Sequence, residues 1–285
     1  MRSHLLGLDH VVILINDIDA AQASWSRLGF NLTPRGFHSI GTRNHCMMFG
    51  TDYLELLSVV KPHPVTEYFS EFLSRGDGAA AFAFSTDDSQ ACWESLRASG
   101  IQADPPVDFS RPVELESGAR DAKFRVTQLP VNATPGCRTF LCQHLTPEVV
   151  WLPPYQQHPL GVTGIAGVTV NVEDIAAAAA AYGQVAGVSP IASSQGSQIR
   201  VGRFTVDFQR PAAPHARTGD KAAALQRTGP LIRSLHFYVA SIDTTQSTLR
   251  AAGFRSSAGA DGVLVLDEGP VNGVALTFRA QVSCS

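Results

Sequence analysis

Four stretches of the chain repeat one pattern of hydrophobic and polar residues. Each begins with a short apolar segment, passes through a polar or acidic turn, and continues into an Ala-rich or amphipathic segment. The stretches read LDHVVILINDIDAAQASWSRLGF, AAFAFSTDDSQACWESLRASGI, IAGVTVNVEDIAAAAAAYGQVAGV and SLHFYVASIDTTQSTLRAAGF. Such self-similarity indicates a fold built from repeated supersecondary units.

Each repeat is predicted to hold a strand, a helix and then roughly three more strands. In the first repeat Ile18, Ala21, Trp25 and Leu28 recur every three or four residues, which places them on one helix face. The acidic residues at the turns suit a helix N-terminus, and the Gly that closes most repeats suits a helix C-cap. The repeating unit is therefore βαβββ.

The units are expected to pair, because one helix cannot cover both faces of the sheet in its own unit. The prediction is an α+β fold of two domains, each a curved mixed sheet that forms an open cup. A Pro- and Gly-rich segment at 146–164 is predicted to connect the first domain, 1–145, to the second, 165–285. A Pro- and Ala-rich segment at 210–229 is predicted to be a mobile insertion.

Composition narrows the classes of partner. The chain has 285 residues, 44% of them hydrophobic and 16% charged, and a net charge of −3. This balance argues against nucleic acid or an anionic membrane as the main partner, and no apolar run reaches the length of a membrane span. The five cysteines form no CxxC pair, so we expect a reduced, cytoplasmic protein.

Three motifs carry a resemblance to a known superfamily. They are LDHVV at 8–12, TRNHCMMFGTDYLELL at 42–57 and CQHLTPEVVWLPPYQQHP at 142–159. With the four units, they resemble the vicinal-oxygen-chelate superfamily, which includes glyoxalase I, extradiol dioxygenases and bleomycin-resistance proteins. Within it the chain is similar to bacterial proteins with a glyoxalase-like domain. The likeness covers nearly the whole chain and is stronger in the first domain.

The resemblance implies a divalent metal ion in the cup, held by the first and last strands of each unit. Those positions hold His10, Glu55 and Gln143, or His144 if the register differs by one residue. Imidazole and carboxylate are ligands for zinc, nickel, manganese or iron. A fourth family position holds Ala81, which has no donor atom.

The corresponding positions of the second domain do not make a metal site, so that domain is expected to be degenerate. They hold Gly167, Ser234, Asp207 and Thr277. In the first domain Glu55 and His45 are candidates for proton transfer. Candidates for substrate contact are Arg43, Asn44 and His144.

Each of these candidates also has a structural interpretation. His10 is explained equally by a hydrogen bond to backbone or to Glu55, and Glu55 by an ion pair with Arg43 or Arg125. The Asn-His pair before the third strand also fits turn chemistry. Cys142 alternates with Gln143 and is expected to pack against a helix.

Two functions follow from the resemblance. The first is a glyoxalase-like, metal-dependent lyase or isomerase acting on a small oxygenated substrate. The alternative is a metal-free protein that sequesters a ligand, as bleomycin-resistance proteins do. Extradiol dioxygenase chemistry is disfavoured because no His-His-Glu set is visible in the second domain. The expected partner is a small molecule, and the expected assembly a monomer or homodimer.

Overall fold

The computed structural model describes residues 1–38, 40–115, 118–193, 196–211 and 231–281. Within these ranges the chain forms five α-helices and sixteen strands. The strands join in one mixed sheet. Most of the insertion predicted at 210–229, together with Cys284, lies outside the described residues. None of the described helices is long and apolar enough to cross a membrane.

The first half of the chain contains two βαβββ repeats and one extra helix. The first repeat consists of β1 (Leu5–Leu14), α1 (Ile18–Arg27), β2 (Gly36–Phe37), β3 (Thr42–Met48) and β4 (Tyr53–Val59). The extra helix, α2 (Glu67–Leu73), follows it. The second repeat consists of β5 (Gly78–Thr86), α3 (Ser89–Ala98), β6 (Val107–Leu115), β7 (Gly118–Gln128) and β8 (Arg138–His144).

The second half of the chain repeats the same order of elements. The third repeat consists of β9 (Val162–Asn171), α4 (Ile175–Ala186), β10 (Ile191–Ser193), β11 (Gly196–Val201) and β12 (Phe204–Gln209). The fourth consists of β13 (Leu231–Val239), α5 (Ile242–Ala251), β14 (Ser256–Ala258), β15 (Leu264–Leu266) and β16 (Ala275–Ala280).

The repeat helices begin and end as the turn chemistry predicts. Side chains of Asp17, Asp88 and Asp174 accept hydrogen bonds from backbone N–H groups in the first turns of α1, α3 and α4. In the fourth repeat the cap is Ser241 rather than an acidic residue. A glycine of positive φ follows the last turn of each of these helices, at positions 29, 100, 187 and 253.

Strand pairing confirms the predicted α+β architecture. In each repeat the first and last strands pair in parallel: β1 with β4, β5 with β8, β9 with β12 and β13 with β16. Between repeats the first strands pair antiparallel, β1 with β5 and β9 with β13. Among the described residues, a bridge between Ala79 and Ile232 links the two halves. Each pair of repeats thus shares one curved sheet.

The outer faces of the strands and the helices pack into a hydrophobic core that spans both halves. Its aromatic residues meet across the join, where the Phe30 ring lies 5.3 Å from Phe237 and the Phe82 ring lies 5.5 Å from Phe204. Such pairs add to the free energy gained from burial. Because this core is continuous, the division into domains at 146–164 stays a prediction.

The segment predicted to connect the halves is packed against the protein. The His158 ring is buried, and it accepts a hydrogen bond from the Asn31 backbone N–H at 2.9 Å. Its other nitrogen lies 2.8 Å from the Met48 carbonyl oxygen and donates to it. Leu160 is fully buried, and β9 begins at Val162. The Pro-rich segment is therefore anchored by a histidine rather than extended through solvent.

A buried carboxylate also ties the two halves together. The Asp52 side chain accepts a hydrogen bond from the Ile165 N–H at 2.8 Å and lies 3.2 Å from the Arg203 guanidinium. Burial raises the pKa of Asp52 to about 6, although the hydrogen bond from Ile165 and the charge of Arg203 act to lower this pKa.

We predict that this carboxyl group makes folding stability fall between about pH 4 and pH 6. The folded pKa lies above the unfolded value of 3.8, so the contribution is full below pH 3.8 and is lost as the pH rises through 6. The loss is on the order of 3 kcal/mol. Asp52→Asn keeps an acceptor for Ile165 and removes the titration.

Urea denaturation at pH steps from 4 to 7 measures the effect. The free energy of unfolding of Asp52→Asn should increase relative to that of the wild type as the pH rises. The control Asp121→Asn, at an exposed position, should change the free energy of unfolding by less than about 0.5 kcal/mol at every pH. Parallel stability curves for wild type and Asp52→Asn contradict the prediction.

Candidate functional site

The concave face of the first curved sheet encloses a cavity of about 590 Å³, here called the cup. Strand alternation determines which side chains face it: His10 and Val12 on β1, and Tyr53, Glu55 and Leu57 on β4. Its lining is predominantly apolar, as is typical of small-molecule sites. Other strands and α2 contribute Asn44, Cys46, Phe69, Phe109, Arg111, Phe124, Arg138, Phe140 and Cys142.

A β-bulge in β1 determines the polar end of the cup. Opposite β5, Leu8 pairs with Phe84 and His10 with Ala83, so Asp9 is an extra residue without a partner. In a regular strand Asp9 and His10 would point to opposite faces. The bulge re-aims the side chain, and the Asp9 carboxylate lies 2.6 Å from His10 Nδ1.

The Asp9 carboxylate is buried between two imidazoles. His144 Nε2 lies 3.0 Å from its second oxygen, and Asp9 is 1% exposed. Burial alone would raise the pKa of Asp9, but the charge and hydrogen bonds of His144 and His10 outweigh it and lower the pKa to about 2. Asp9 is therefore an anion that fixes both rings.

Glu55 and His10 lie side by side on the inner face of the sheet, on the neighbouring strands β4 and β1, as the resemblance implies. The distance from His10 Nε2 to Glu55 Oε2 is 3.9 Å. Glu55 Oε1 accepts a hydrogen bond of 2.6 Å from the Asn44 side-chain amide, rather than an ion pair with Arg43 or Arg125. Arg125 instead pairs with Asp108. The His10 ring stacks on Tyr53 with a centroid distance of 4.5 Å.

The residues of β8 that face the cup are shifted by one position from the alternation that would place Gln143 there. They are even-numbered and include Phe140 and Cys142, which line the cup. The Gln143 side chain lies on the other face, where it donates to the Asp87 carbonyl and accepts from the Ser89 N–H. Cys142 therefore does not pack against a helix, contrary to expectation, and His144 takes the inward direction.

Alternation along β3 separates the three polar residues predicted there. Asn44 faces the cup, between Thr42 and Cys46. His45 lies on the opposite face, with Nδ1 donating to the Thr33 carbonyl at 2.8 Å. Arg43 shares that outer side of the strand and does not line the cup. The structure thus brings Asn44 to the site and directs Arg43 and His45 away from it.

The predicted metal ligands do not assemble. His10 and Glu55 converge, but Gln143 faces α3 and Ala81 carries no donor atom. The alternative ligand, His144, points inward, but its Nε2 pairs with Asp9, and it clusters with Asp9 and Cys142 rather than with His10 and Glu55. Glu55 is moreover satisfied in part by the Asn44 amide, a donor that does not require a cation. Two protein donors fall short of the three that catalytic zinc sites have, so His10, Glu55 and Gln143 do not fit the ion that the resemblance implies.

The second half holds hydrogen-bonded polar groups at the corresponding strands. His236 is bonded on both sides, Nε2 to the Thr169 hydroxyl at 2.8 Å and Nδ1 to the Thr277 hydroxyl at 2.7 Å. Burial lowers the pKa of His236 to about 4, so the ring is neutral near pH 7. Burial also raises the pKa of Asp207.

Asp9 and the aromatic and cationic walls of the cup are the features that sequence reasoning missed. The sequence shows Asp9 beside His10, and an acidic residue next to a histidine indicates a polar site. No local sequence pattern predicts the bulge, however, so the sequence does not place both side chains on one face of the sheet. Arg111, Phe109 and Phe124 lie on β6 and β7, whose pairing register only the folded sheet defines.

Comparison with known proteins identifies the class to which this fold and cup belong. The glyoxalase-like domain model matches residues 8–186, which is more than half of the chain. The chain therefore belongs to the glyoxalase-like domain family, and its resemblance to the vicinal-oxygen-chelate superfamily is confirmed. A search of curated protein sequences finds no match.

Solved structures share the fold at low sequence identity. A hypothetical protein from Staphylococcus aureus is 12% identical, with TM-score 0.66 over 96% of this chain and 99% of that one. A mutant of 4-hydroxymandelate synthase from Streptomyces coelicolor is 15% identical, with TM-score 0.59 over 99% and 94%. A xylose isomerase-like TIM barrel/4-hydroxyphenylpyruvate dioxygenase fusion protein is 12% identical, with TM-score 0.62 over 100% and 50%.

We predict that Asp9→Ala destabilises the fold by about 3–5 kcal/mol, because it leaves two buried imidazoles without their common partner. The free energy of unfolding from urea titration at pH 7 measures the loss. Asp87→Ala is the matched control, since Asp87 also pairs with a histidine, His4, but at an exposed position. Its cost should stay below about 1 kcal/mol. Equal losses of unfolding free energy in the two variants would contradict the prediction that burial makes the Asp9 pairing more important for stability than an exposed pair.

Proposed function

We propose that the cup binds a small oxygenated organic molecule and that His10 and Glu55 transfer protons on it, in a glyoxalase-like isomerase or lyase reaction. The observation that carries the proposal is the pair on the neighbouring strands β1 and β4, with 3.9 Å between His10 Nε2 and Glu55 Oε2 inside a largely apolar cavity. A proton acceptor and a proton donor within reach of the same part of one substrate molecule are what such chemistry requires.

The hydrogen bonds that hold His10 and Glu55 leave one polar side-chain atom of each residue for the substrate. Asp9 holds His10 through Nδ1 and so directs Nε2 at the cup, as the buried aspartate does in a catalytic triad. Asn44 holds Glu55 through Oε1, which leaves Oε2 as a base. Glu55 removes a proton from the carbon beside a carbonyl, while His10, in the form protonated on both ring nitrogens, donates its Nε2 proton to the neighbouring oxygen. The two groups then exchange roles: His10 Nε2 takes up a proton from the intermediate and the protonated Glu55 returns its own to carbon, so both regain their starting states.

The walls of the cup fit a substrate with an apolar part and an oxygen-bearing part. Phe109, Phe124 and Phe140 supply aromatic surface, which excludes water and strengthens the electrostatic interactions inside. Arg111 and Arg138 also line the cup. Their guanidinium groups suit a carboxylate or a developing oxyanion.

A ligand-sequestering protein is the second candidate function. Two observations favour it: the predicted metal ligands do not assemble, and the lining is predominantly apolar. In that case Glu55 and Asn44 recognise donor groups of a ligand without chemistry. We further propose that 1–145 is the active half, that 165–285 supports it, and that the protein is cytoplasmic. The four described cysteines are free and buried, which suits a reducing compartment.

Exchange of carbon-bound hydrogen with solvent tests the proton-transfer proposal. Hydroxyacetone and 2-hydroxyacetophenone in D₂O serve as probes, and proton NMR follows loss of the signal next to the carbonyl. We expect the wild type to accelerate exchange, and Glu55→Gln and His10→Asn to reduce the rate by about 10²–10⁴. His45→Gln is the control, because His45 faces away from the cup.

Binding measured by calorimetry on the same probes separates the two candidates. A probe that binds wild type and Glu55→Gln but exchanges no faster than in buffer supports sequestration and contradicts catalysis. Loss of exchange in His45→Gln would contradict the assignment of His10 and Glu55 as the proton-transfer pair.

A further inference from the structure

Three side chains with metal-binding atoms cluster beside the cup, and only one of them, His144, was a predicted ligand, as the alternative to Gln143. Asp9, Cys142 and His144 each offer a ligand atom, and these atoms lie within 4.8 Å of one another. We propose that Asp9, Cys142 and His144 bind a borderline divalent ion such as zinc at the wall of the cup. The site shares Asp9 with the proton-transfer proposal but does not require that His10 and Glu55 transfer protons.

The fold brings the three residues together by two local devices. Cys142 and His144 are two positions apart on β8, so both point to the inner face. Asp9 reaches them from β1 only because the bulge turns its side chain inward. The strand between them, β5, contributes Ala83, a small and fully buried residue that packs in the same cluster as Cys142. A larger residue there would separate the donors.

The donor chemistry matches a zinc-type ion rather than magnesium or calcium. A thiolate, an imidazole and a carboxylate are all ligands that zinc accepts, whereas magnesium and calcium prefer oxygen alone. The donor atoms around one tetrahedral ion lie roughly 3.5 Å from one another. Side-chain rotations that move the donor atoms by about 1 Å therefore bring the three into position to bind the ion. With the thiol deprotonated, the carboxylate and the thiolate balance the charge of the ion.

The surroundings supply what a metal site needs beyond its ligands. His10 Nδ1 donates to Asp9, the kind of outer hydrogen bond that orients a ligating carboxylate. His144 is held through Nε2 alone, since its buried Nδ1 has no hydrogen-bond partner among the described residues. Burying these polar groups costs free energy, and a bound cation offsets that cost.

Three protein ligands leave room for a further ligand on the ion. Cys142 itself lines the cup, so the ion lies at the cavity wall and is accessible to an oxygen atom of a molecule bound there. Coordination exchanges the thiol proton of Cys142 for the ion, which releases that proton to solvent. In the ion-free protein burial and the Asp9 charge raise the pKa of this thiol well above its usual value, so it is protonated.

Titration with Co²⁺ tests the site, because a thiolate ligand gives cobalt an intense charge-transfer absorption. The untagged, ion-depleted full chain should bind one Co²⁺ with this band, and Zn²⁺ should displace it. Cys142→Ser should abolish the band, and His144→Gln should weaken binding at least tenfold. Cys46→Ser is the matched control, since Cys46 is another buried thiol that lines the cup but lies outside the cluster.

Glu55→Gln separates this site from the predicted one. It should leave the Co²⁺ band unchanged, because Glu55 is not among the three ligands. Circular dichroism of each ion-free variant checks that it is folded, and Cys142→Ala replaces Cys142→Ser if the latter is not. Absence of the band in wild type overturns the proposal, as does a band that survives in Cys142→Ser or that disappears in Cys46→Ser or Glu55→Gln.

Discussion

The buried carboxylate of Asp9, held between the imidazoles of His10 and His144, is the interaction on which the polar end of the cup depends. A charge this deeply buried is tolerated only when it is paired and hydrogen-bonded. Here the pairing takes both rings out of free rotation. One ring then points Nε2 at Glu55, and the other lies beside Cys142. Orientation of the candidate chemistry thus follows from one electrostatic requirement.

The repeat architecture explains why this polar cluster lies at a cavity rather than in the core. Parallel pairing of the first and last strand in each repeat, with antiparallel pairing between repeats, gives a sheet with two distinct faces. The four repeat helices cover one face and complete a core shared by both halves. The other face is covered only in part, by α2 and by the β6–β7 hairpin, so it remains a cup.

The two halves keep the same scaffold but differ in chemistry. The first half places Asp9, His10, Glu55 and Asn44 along one side of a predominantly apolar cavity. The second places His236 between two threonine hydroxyls, in a neutral state near pH 7. A scaffold supports such divergence because function depends on the side chains of the site and not on the fold alone. Family membership therefore leaves the reaction open, and the proposal of proton transfer rests on the adjacent His10 and Glu55 side chains.

The sequence by itself determined the repeat, the helix caps and the α+β class, because these depend on local periodicity and turn chemistry. The convergence of His10 with Glu55 was implied by the resemblance, and the pairing of β1 with β4 brings it about. Within one strand the sequence also placed Tyr53, Glu55 and Leu57 on a common face. Only the tertiary structure decided the rest. A register slip of one residue exchanges the faces of a strand, and so Cys142 and His144 rather than Gln143 point inward on β8. The bulge that turns Asp9 depends on the pairing of β1 with β5, which no local pattern encodes.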